Sequence, residues 1–293
     1  MASGGMVLIE TYDADGRKRE QGSGFVVSSG GLALTNYHVI RGASRATAKF
    51  SDGTVSEVSG VFGYDPARDV AVIKLDAPRG AVLQMGDSNR VRVGEKIVAI
   101  GSPLGLQNTL SEGIVSGLRG GIIQMSDPIS PGSSGGAVFD KHGKVIGISV
   151  ATVADGQNLN FAVPINWAKP YLSGGTATSL ANVAAENTVR QNIFSGSLTI
   201  PAAHARMWTF ALNPNVMSDA GIQGYVTSTG GLDGKISVTV VFQGQPIYQC
   251  RANACDVQQD VVSPGIYTVL LDNRVSPIFA RTVSGNIALK YVK

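Results

Sequence analysis

Apolar and polar positions alternate along much of this chain with the two-residue period of half-buried β-strands. The run Lys235-Ile236-Ser237-Val238-Thr239-Val240-Val241 is a clear instance. Elsewhere the apolar positions are continuous, as in Gly24-Phe25-Val26-Val27 and in Val70-Ala71-Val72-Ile73-Lys74-Leu75, which Asp69 opens. Residues 265–271 and 287–292 predict two further strands. Turn residues separate these runs: residues 28–34 predict a turn, and Asp140-Lys141-His142-Gly143-Lys144 predicts a hairpin tip. From residue 194 onward, Gly, Asn and Asp clusters fall at intervals expected of a β-sandwich. The stretch Ser173-Gly174-Gly175-Thr176-Ala177-Thr178-Ser179 predicts a flexible linker by composition. Residues 181–191 predict either a short helix or a disordered segment. The expected organisation is all-β: a first domain over 1–172, a linker over 173–193, and a β-sandwich over 194–293.

Composition supports that organisation. A chain of 293 residues holds two domains with a core each. Glycine is abundant, at 37 residues, and only 15% of residues are charged, as strand-and-turn architecture requires. Residues 1–172 carry 16 basic and 15 acidic side chains, and residues 173–293 carry eight and six. With a net charge of +3 and no basic stripe, nucleic acid is not an implied partner. Arg17-Lys18-Arg19 reads as a solvated hairpin tip. No apolar stretch reaches the roughly 20 residues needed to cross a bilayer, so no transmembrane segment is expected. Met1-Ala2-Ser3-Gly4-Gly5 lacks the apolar core of a signal peptide and reads as a trimmed start, with any native signal missing.

Two cysteines, Cys250 and Cys255, lie five positions apart. The spacing suits either a disulfide across a turn or two free thiols. A metal site would need further ligands, and the neighbouring sequence offers none.

Pro131-Gly132-Ser133-Ser134-Gly135-Gly136 carries the candidate chemistry. A Ser held between glycines can present its hydroxyl on a tight turn while neighbouring N–H groups converge on one point, which is a nucleophile with an oxyanion hole. Of the three histidines, His142 sits in the hairpin tip and His204 reads as a surface residue among small residues after Pro201, so His38 in Thr35-Asn36-Tyr37-His38-Val39-Ile40 is the candidate general base. Asp69 is the candidate orienting acid, whereas Asp65 and Asp76 read as turn residues at strand ends. The order His, Asp, Ser is that of the chymotrypsin class.

Over residues 6–172 the chain resembles chymotrypsin-type proteases of the HtrA/Deg family. Gly22-Ser23-Gly24-Phe25-Val26-Val27 resembles the first core strand, residues 34–40 the histidine motif, and residues 68–75 the aspartate motif. Val98-Ala99-Ile100-Gly101-Ser102-Pro103-Leu104-Gly105-Leu106 and Gly113-Ile114-Val115-Ser116-Gly117 resemble further signatures. Residues 127–138 resemble the serine motif, and Asn160-Phe161-Ala162-Val163-Pro164 the last barrel strand. The runs occur in the family's order. The resemblance implies a chymotrypsin-like pair of six-stranded β-barrels, with Ser134 as nucleophile, His38 as general base, Asp69 as orienting carboxylate, and the N–H groups of Gly132 and Ser134 as oxyanion hole. It further implies that Ser149, Val150 and Ala151 pair with an extended substrate backbone. Ile129 and Leu159, with Ile148 nearby, would line a narrow apolar pocket. Pro128 stands where trypsin-like enzymes carry an acid, so Val, Ala, Ile or Leu is expected before the scissile bond.

Two departures from the family pattern matter. Ser133 replaces the Asn usual before the nucleophile, and digestive enzymes carry Asp there to pair with a freed N-terminal amine; activation by N-terminal cleavage is not expected. Only nine residues, 118–126, separate the signature ending at Gly117 from Asp127, where the family has a longer loop that senses a PDZ domain. No PDZ pattern follows. The second domain instead resembles GOLD-type sandwich domains over residues 264–276 and 280–283. That resemblance implies protein or lipid association.

The expected function is a serine endopeptidase that cleaves extended or unfolded polypeptides without metal or organic cofactor, in protein quality control or processing. The alternative is a catalytically silent protease fold that binds or chaperones a partner. Polypeptide substrates, a protein partner for the sandwich and a homo-oligomer are the associations compatible with the resemblance. The expected location is extracytoplasmic, periplasmic or secreted.

Overall fold

The computed structural model describes residues 2–102, 109–128, 132–150, 160–173, 175–212, 218–230, 234–261, 263, 265–274 and 280–292. The chain divides into two compact units, Met1–Glu186 and Asn187–Lys293.

The first unit contains two barrels. Strands β1 (Met6–Tyr12), β2 (Lys18–Val26), β3 (Leu32–Thr35), β4 (Arg45–Phe50), β5 (Val55–Asp65) and β6 (Val70–Leu75) close antiparallel in the order β1-β2-β3-β6-β5-β4. Strands β7 (Lys96–Gly101), β8 (Thr109–Arg119), β9 (Ile122–Met125), β10 (Ala137–Phe139), β11 (Val145–Val150) and β12 (Asn160–Pro164) close in the order β10-β11-β12-β9-β8-β7. Closure removes the unpaired edges an open sheet would expose. The nine-residue connection is a tight hairpin: Gly120 and Gly121, both at positive φ, turn β8 into β9.

The continuous apolar runs have a specific cause. On β6, Ala71 and Ile73 face the interior of the first barrel, while Val70 and Val72 face a seam shared with the second. A strand buried on both faces cannot alternate. Phe25 and Leu34 join the same seam, where Ile100, Ala137, Phe139, Ile148 and Val163 meet them from the second barrel. Each such side chain contributes about 1.5–3 kcal/mol by leaving water, so the seam fixes one barrel against the other.

The expected linker over 173–193 is not a free tether. Thr178 pairs with Val61 on β5 through two backbone hydrogen bonds of 2.7 and 2.8 Å. Helix α2 (Leu180–Glu186) then buries Leu180 and Val183 in the first barrel's core. The small residues that suggested flexibility instead permit close approach: a Cβ on Gly175 would lie 2.7 Å from the Phe62 carbonyl oxygen. Strand pairing resumes at Thr188, so the second unit begins earlier than residue 194.

The second unit is a β-sandwich. Strands β13 (Thr188–Ile200), β14 (Ala205–Leu212), β15 (Ser218–Thr229), β16 (Ile236–Phe242), β17 (Gln245–Ala252), β18 (Ala254–Val261), β19 (Gly265–Asp272) and β20 (Arg281–Val292) form two four-stranded sheets, β13-β20-β15-β18 and β14-β19-β16-β17. Ile236, Val238 and Val240 all point into the common core, as their alternation requires. Cys250 and Cys255 are disulfide-bonded and join β17 to β18, the end strands of the two sheets. A short bridged loop of this kind stabilises by roughly 2 kcal/mol through loop-closure entropy. Among the described residues, no helix is long and apolar enough to cross a membrane.

Candidate active site

The site is assembled at the seam from three short segments. Thr35 ends β3, and one helical turn, α1 (Tyr37–Ile40), follows. Tyr37, Val39 and Ile40 turn inward and are buried, which leaves His38 as the side chain of this turn that reaches solvent, 35% exposed. Between β5 and β6 the chain turns at Asp65, whose Oδ1 accepts from the N–H groups of Ala67 and Arg68. The turn delivers Asp69 at a φ of 55°. Few side chains other than Gly, Asn and Asp tolerate that left-handed conformation. Asn36, fully buried, holds it by donating from Nδ2 to the Asp69 carbonyl oxygen at 3.0 Å.

His38 and Asp69 are bonded twice. Asp69 Oδ1 accepts from the His38 backbone N–H at 2.9 Å, and Oδ2 lies 2.8 Å from Nδ1. An ionised carboxylate can only accept, so the ring proton belongs on Nδ1 and Nε2 is the basic nitrogen. The two contacts from one carboxylate fix both the ring's tilt and its tautomer.

Ser134 stands on the loop that leads into β10, 5% exposed. Gly132 precedes it at a φ of 92°. Gly135 follows at a φ of 86°, where a Cβ would lie 2.0 Å from the Ser23 carbonyl oxygen. Only glycine fits there. Gly22 brings the loop to the histidine turn, since a Cβ on it would meet Val39 Cγ2 at 2.7 Å and the Ser134 carbonyl oxygen at 3.1 Å. His38, Asp69, Gly132 and Ser134 thus come from three segments to one face of the seam. His142 lies in the exposed hairpin after β10, and His204 is exposed in the second unit, so neither competes for the role of base.

The substrate-binding expectations fare differently. Ile129, Ala151 and Leu159 lie outside the described residues, as do Pro131 and residues 103–106. Ile148 is completely buried in the seam core, so it backs the neighbouring residues and lines no accessible pocket. The Ser149 backbone also closes the serine loop: its N–H donates to the Gly136 carbonyl at 2.8 Å and its carbonyl accepts from the Gly135 N–H at 2.9 Å. Val150, the next of the expected substrate-pairing residues, is half-buried at the end of β11 opposite Phe161. Pro128 is exposed.

Sequence reasoning missed the polar residues that hold this loop. Ser23, Thr35, Asn36, Ser102 and Ser149 are all buried. The available signal was a small polar residue inside an otherwise apolar or glycine-rich strand, as at Ser23 between Gly22 and Gly24.

Asp127 was overlooked as a titrating group. It is fully buried, Oδ1 has no hydrogen-bond partner, and Oδ2 accepts from Ser111 Oγ at 3.3 Å. Its carbonyl accepts from Asn160 Nδ2 at 2.5 Å. Burial pushes its carboxyl pKa up, against a smaller opposing effect of the Ser111 hydroxyl. The folded state therefore holds this proton more tightly than the unfolded chain does. That contribution to stability is complete below the ordinary carboxylate pKa and is lost as pH rises through the raised value. Asp127→Asn, neutral at every pH, is expected to be more stable than the parent near pH 8 and to lose that gain near pH 3. Urea denaturation at both pH values checks this; a gain that is equal at both would rule out the titration of Asp127 as its cause.

Comparison with known proteins agrees with this geometry. Residues 22–148 match the family model described as a trypsin-like peptidase domain. The chain carries a trypsin-like peptidase domain. It is 35% identical over 267 residues to the serine protease HhoB of Synechocystis sp., covering 87% of this chain and 59% of that protein. It is 39% identical over 162 residues to the chloroplastic Protease Do-like 1 of Arabidopsis thaliana, covering 50% of this chain and 37% of that protein. A periplasmic serine endoprotease of DegP-like type from Brucella suis is also 39% identical over 162 residues, covering 51% of this chain and 31% of the other. All three relatives are named as proteases, HhoB and the Brucella protein as serine proteases, and the chain spans less than two thirds of the length of each.

Proposed function

We propose that this chain is a serine endopeptidase that cleaves extended or unfolded polypeptides through an acyl-enzyme on Ser134. His38 Nε2 takes the Ser134 proton as the hydroxyl attacks the carbonyl, and later gives it to the leaving amine. Asp69 keeps the ring in the required tautomer and stabilises the imidazolium. The N–H groups of Gly132 and Ser134 receive the oxyanion, each donor being worth about 3–4 kcal/mol of transition-state stabilisation. The observation that carries this reading is the His38–Asp69 pair, bonded at both the ring and the backbone of the histidine.

The apolar side chains Ile129 and Leu159 expected around Pro128, with no acid at that position, support cleavage after Val, Ala, Ile or Leu. Each methylene distinguishes such residues by only about 1–3 kcal/mol, so the preference is broad. A substrate need only be extended enough to lie along the segment that follows Ser149. The disulfide in the second unit and the periplasmic location in the Brucella relative's name support an extracytoplasmic, oxidising location. A role in quality control or processing follows from that preference for unfolded chains, with the sandwich unit engaging a protein partner.

Digestion of a panel of reduced, denatured proteins, with the new termini mapped by mass spectrometry, tests the proposal. Small aliphatic residues are expected before most cut sites, with native forms of the same proteins resisting. Cuts concentrated after Lys or Arg would overturn the pocket assignment, and cleavage of a single protein in the panel would replace quality control by restricted processing.

A further inference from the structure

Three successive carbonyl groups of the serine loop are held, and two serine hydroxyls from opposite barrels do much of the holding. Ser23, on β2 of the first barrel, is fully buried. Its Oγ donates to the Gly132 carbonyl oxygen at 2.8 Å and accepts from the Ser102 N–H, also at 2.8 Å. Its backbone N–H donates to the Ser134 carbonyl oxygen at 2.7 Å. Thr35 Oγ1 donates to the Ser23 carbonyl at 2.8 Å and anchors the residue in turn. From the second barrel, Ser149 Oγ donates to the Ser133 carbonyl oxygen at 2.6 Å, which also accepts from the Gly136 N–H at 2.9 Å.

A trans peptide points its C=O and the following N–H in opposite directions. The Ser133 carbonyl is drawn toward Ser149, so the N–H of Ser134, in the same peptide plane, is turned the other way. The Gly132 carbonyl is drawn toward Ser23, which holds the adjoining Gly132–Ser133 plane as well. Glycine has the conformational freedom to lose this orientation, because it populates positive and negative φ alike. Without the hydroxyls, little in the loop's own sequence would select one arrangement.

We infer that Ser23 and Ser149 are positioning residues that clamp the Gly132–Ser133 and Ser133–Ser134 peptide planes, and so hold the Ser134 N–H in the orientation an oxyanion hole needs. The inference rests on the serine-protease reading, since it assigns these hydroxyls a purpose only if that N–H receives charge. It also makes the hole a property of the seam: one hydroxyl comes from each barrel, so a shift of the barrels against each other loosens it.

Ser23→Ala, Ser149→Ala and the double variant test this in the full chain. The probes are a peptide anilide substrate with Val before the scissile bond and the matching peptide boronate, which becomes tetrahedral on the nucleophile. Each single variant is expected to lower kcat at least about tenfold, less than the 10²–10³ typical of deleting a donor outright, with KM changed less than about twofold. Boronate affinity should fall by a matching factor. The double variant should lose less than the product of the two, because both hydroxyls hold one loop. Rates are expressed per competent site after exhaustive fluorophosphonate titration, and a near-isosteric Cys, a weak donor, stands in for any Ala variant that does not fold. Unchanged kcat per competent site, or reduced kcat with unchanged boronate affinity, overturns the clamp and leaves the protease reading intact. A wild type inert to substrate, boronate and fluorophosphonate alike overturns both.

Discussion

Ser134→Ala is expected to abolish hydrolysis, lowering kcat on the order of a million-fold while leaving the fold in place. The substitution removes one oxygen from a small side chain. The contacts that hold the loop belong to its backbone: the Ser134 carbonyl still accepts from Ser23, and Gly135 still donates to Ser149. No cavity of consequence opens, so the thermal midpoint should stay within a few degrees of the parent. Intact-mass measurement after treatment with a fluorophosphonate gives the sharper test. One adduct is expected on the wild type, mapped to Ser134, and none on the variant. An adduct elsewhere, or one that persists in the variant, would displace Ser134 as nucleophile. A wild type that takes no adduct would favour the silent, partner-binding alternative.

Asp69→Asn is expected to cost about ten-thousand-fold in kcat with little change in KM. Asp69 accepts from both the backbone N–H and the ring of His38. An amide has one acceptor oxygen and one NH₂ group, so it cannot accept at both points. If its oxygen keeps the backbone N–H, its NH₂ faces Nδ1 and forces the ring proton onto Nε2, where no basic lone pair remains for Ser134. The backbone should tolerate the change, because Asn is among the few residues that adopt the positive φ found at this position. Steady-state kinetics with a peptide anilide, alongside a thermal melt, separates the effects. A large loss of stability together with activity would mean that Asp69 serves chiefly to hold the β5–β6 turn, and near-wild-type kcat would remove it from the mechanism.

The two predictions depend on residues that were legible in different ways. Ser134 was marked by glycines on both sides of its loop, each with a steric reason. Asp69 was marked only by opening an apolar run, and its strained backbone and the Asn36 contact that supports it leave no periodic trace. Ser149 was legible only as part of a substrate-pairing segment, whereas its main chain and hydroxyl also close the serine loop. The linker was misread for a related reason. Small residues favour both flexibility and close packing, and composition cannot distinguish them; the pairing of Thr178 with Val61 can.

The sequence by itself determined the class of this protein. Period-two alternation and turn residues specify strands locally, because side-chain direction in a strand depends only on position along it. The ordered motifs around His38, Asp69 and Ser134 specify the chemistry, because each requires particular residue types at particular places. Tertiary structure alone decided which faces of the apolar runs meet at the seam, that Cys250 and Cys255 are joined, and that Asp127 is buried without a full set of partners. It also decided that hydroxyls from opposite barrels converge on the loop bearing Ser134. Those include contacts between residues 109 positions apart, as from Ser23 to Gly132. They are set by how closed barrels stack, and no local pattern in the chain encodes that geometry.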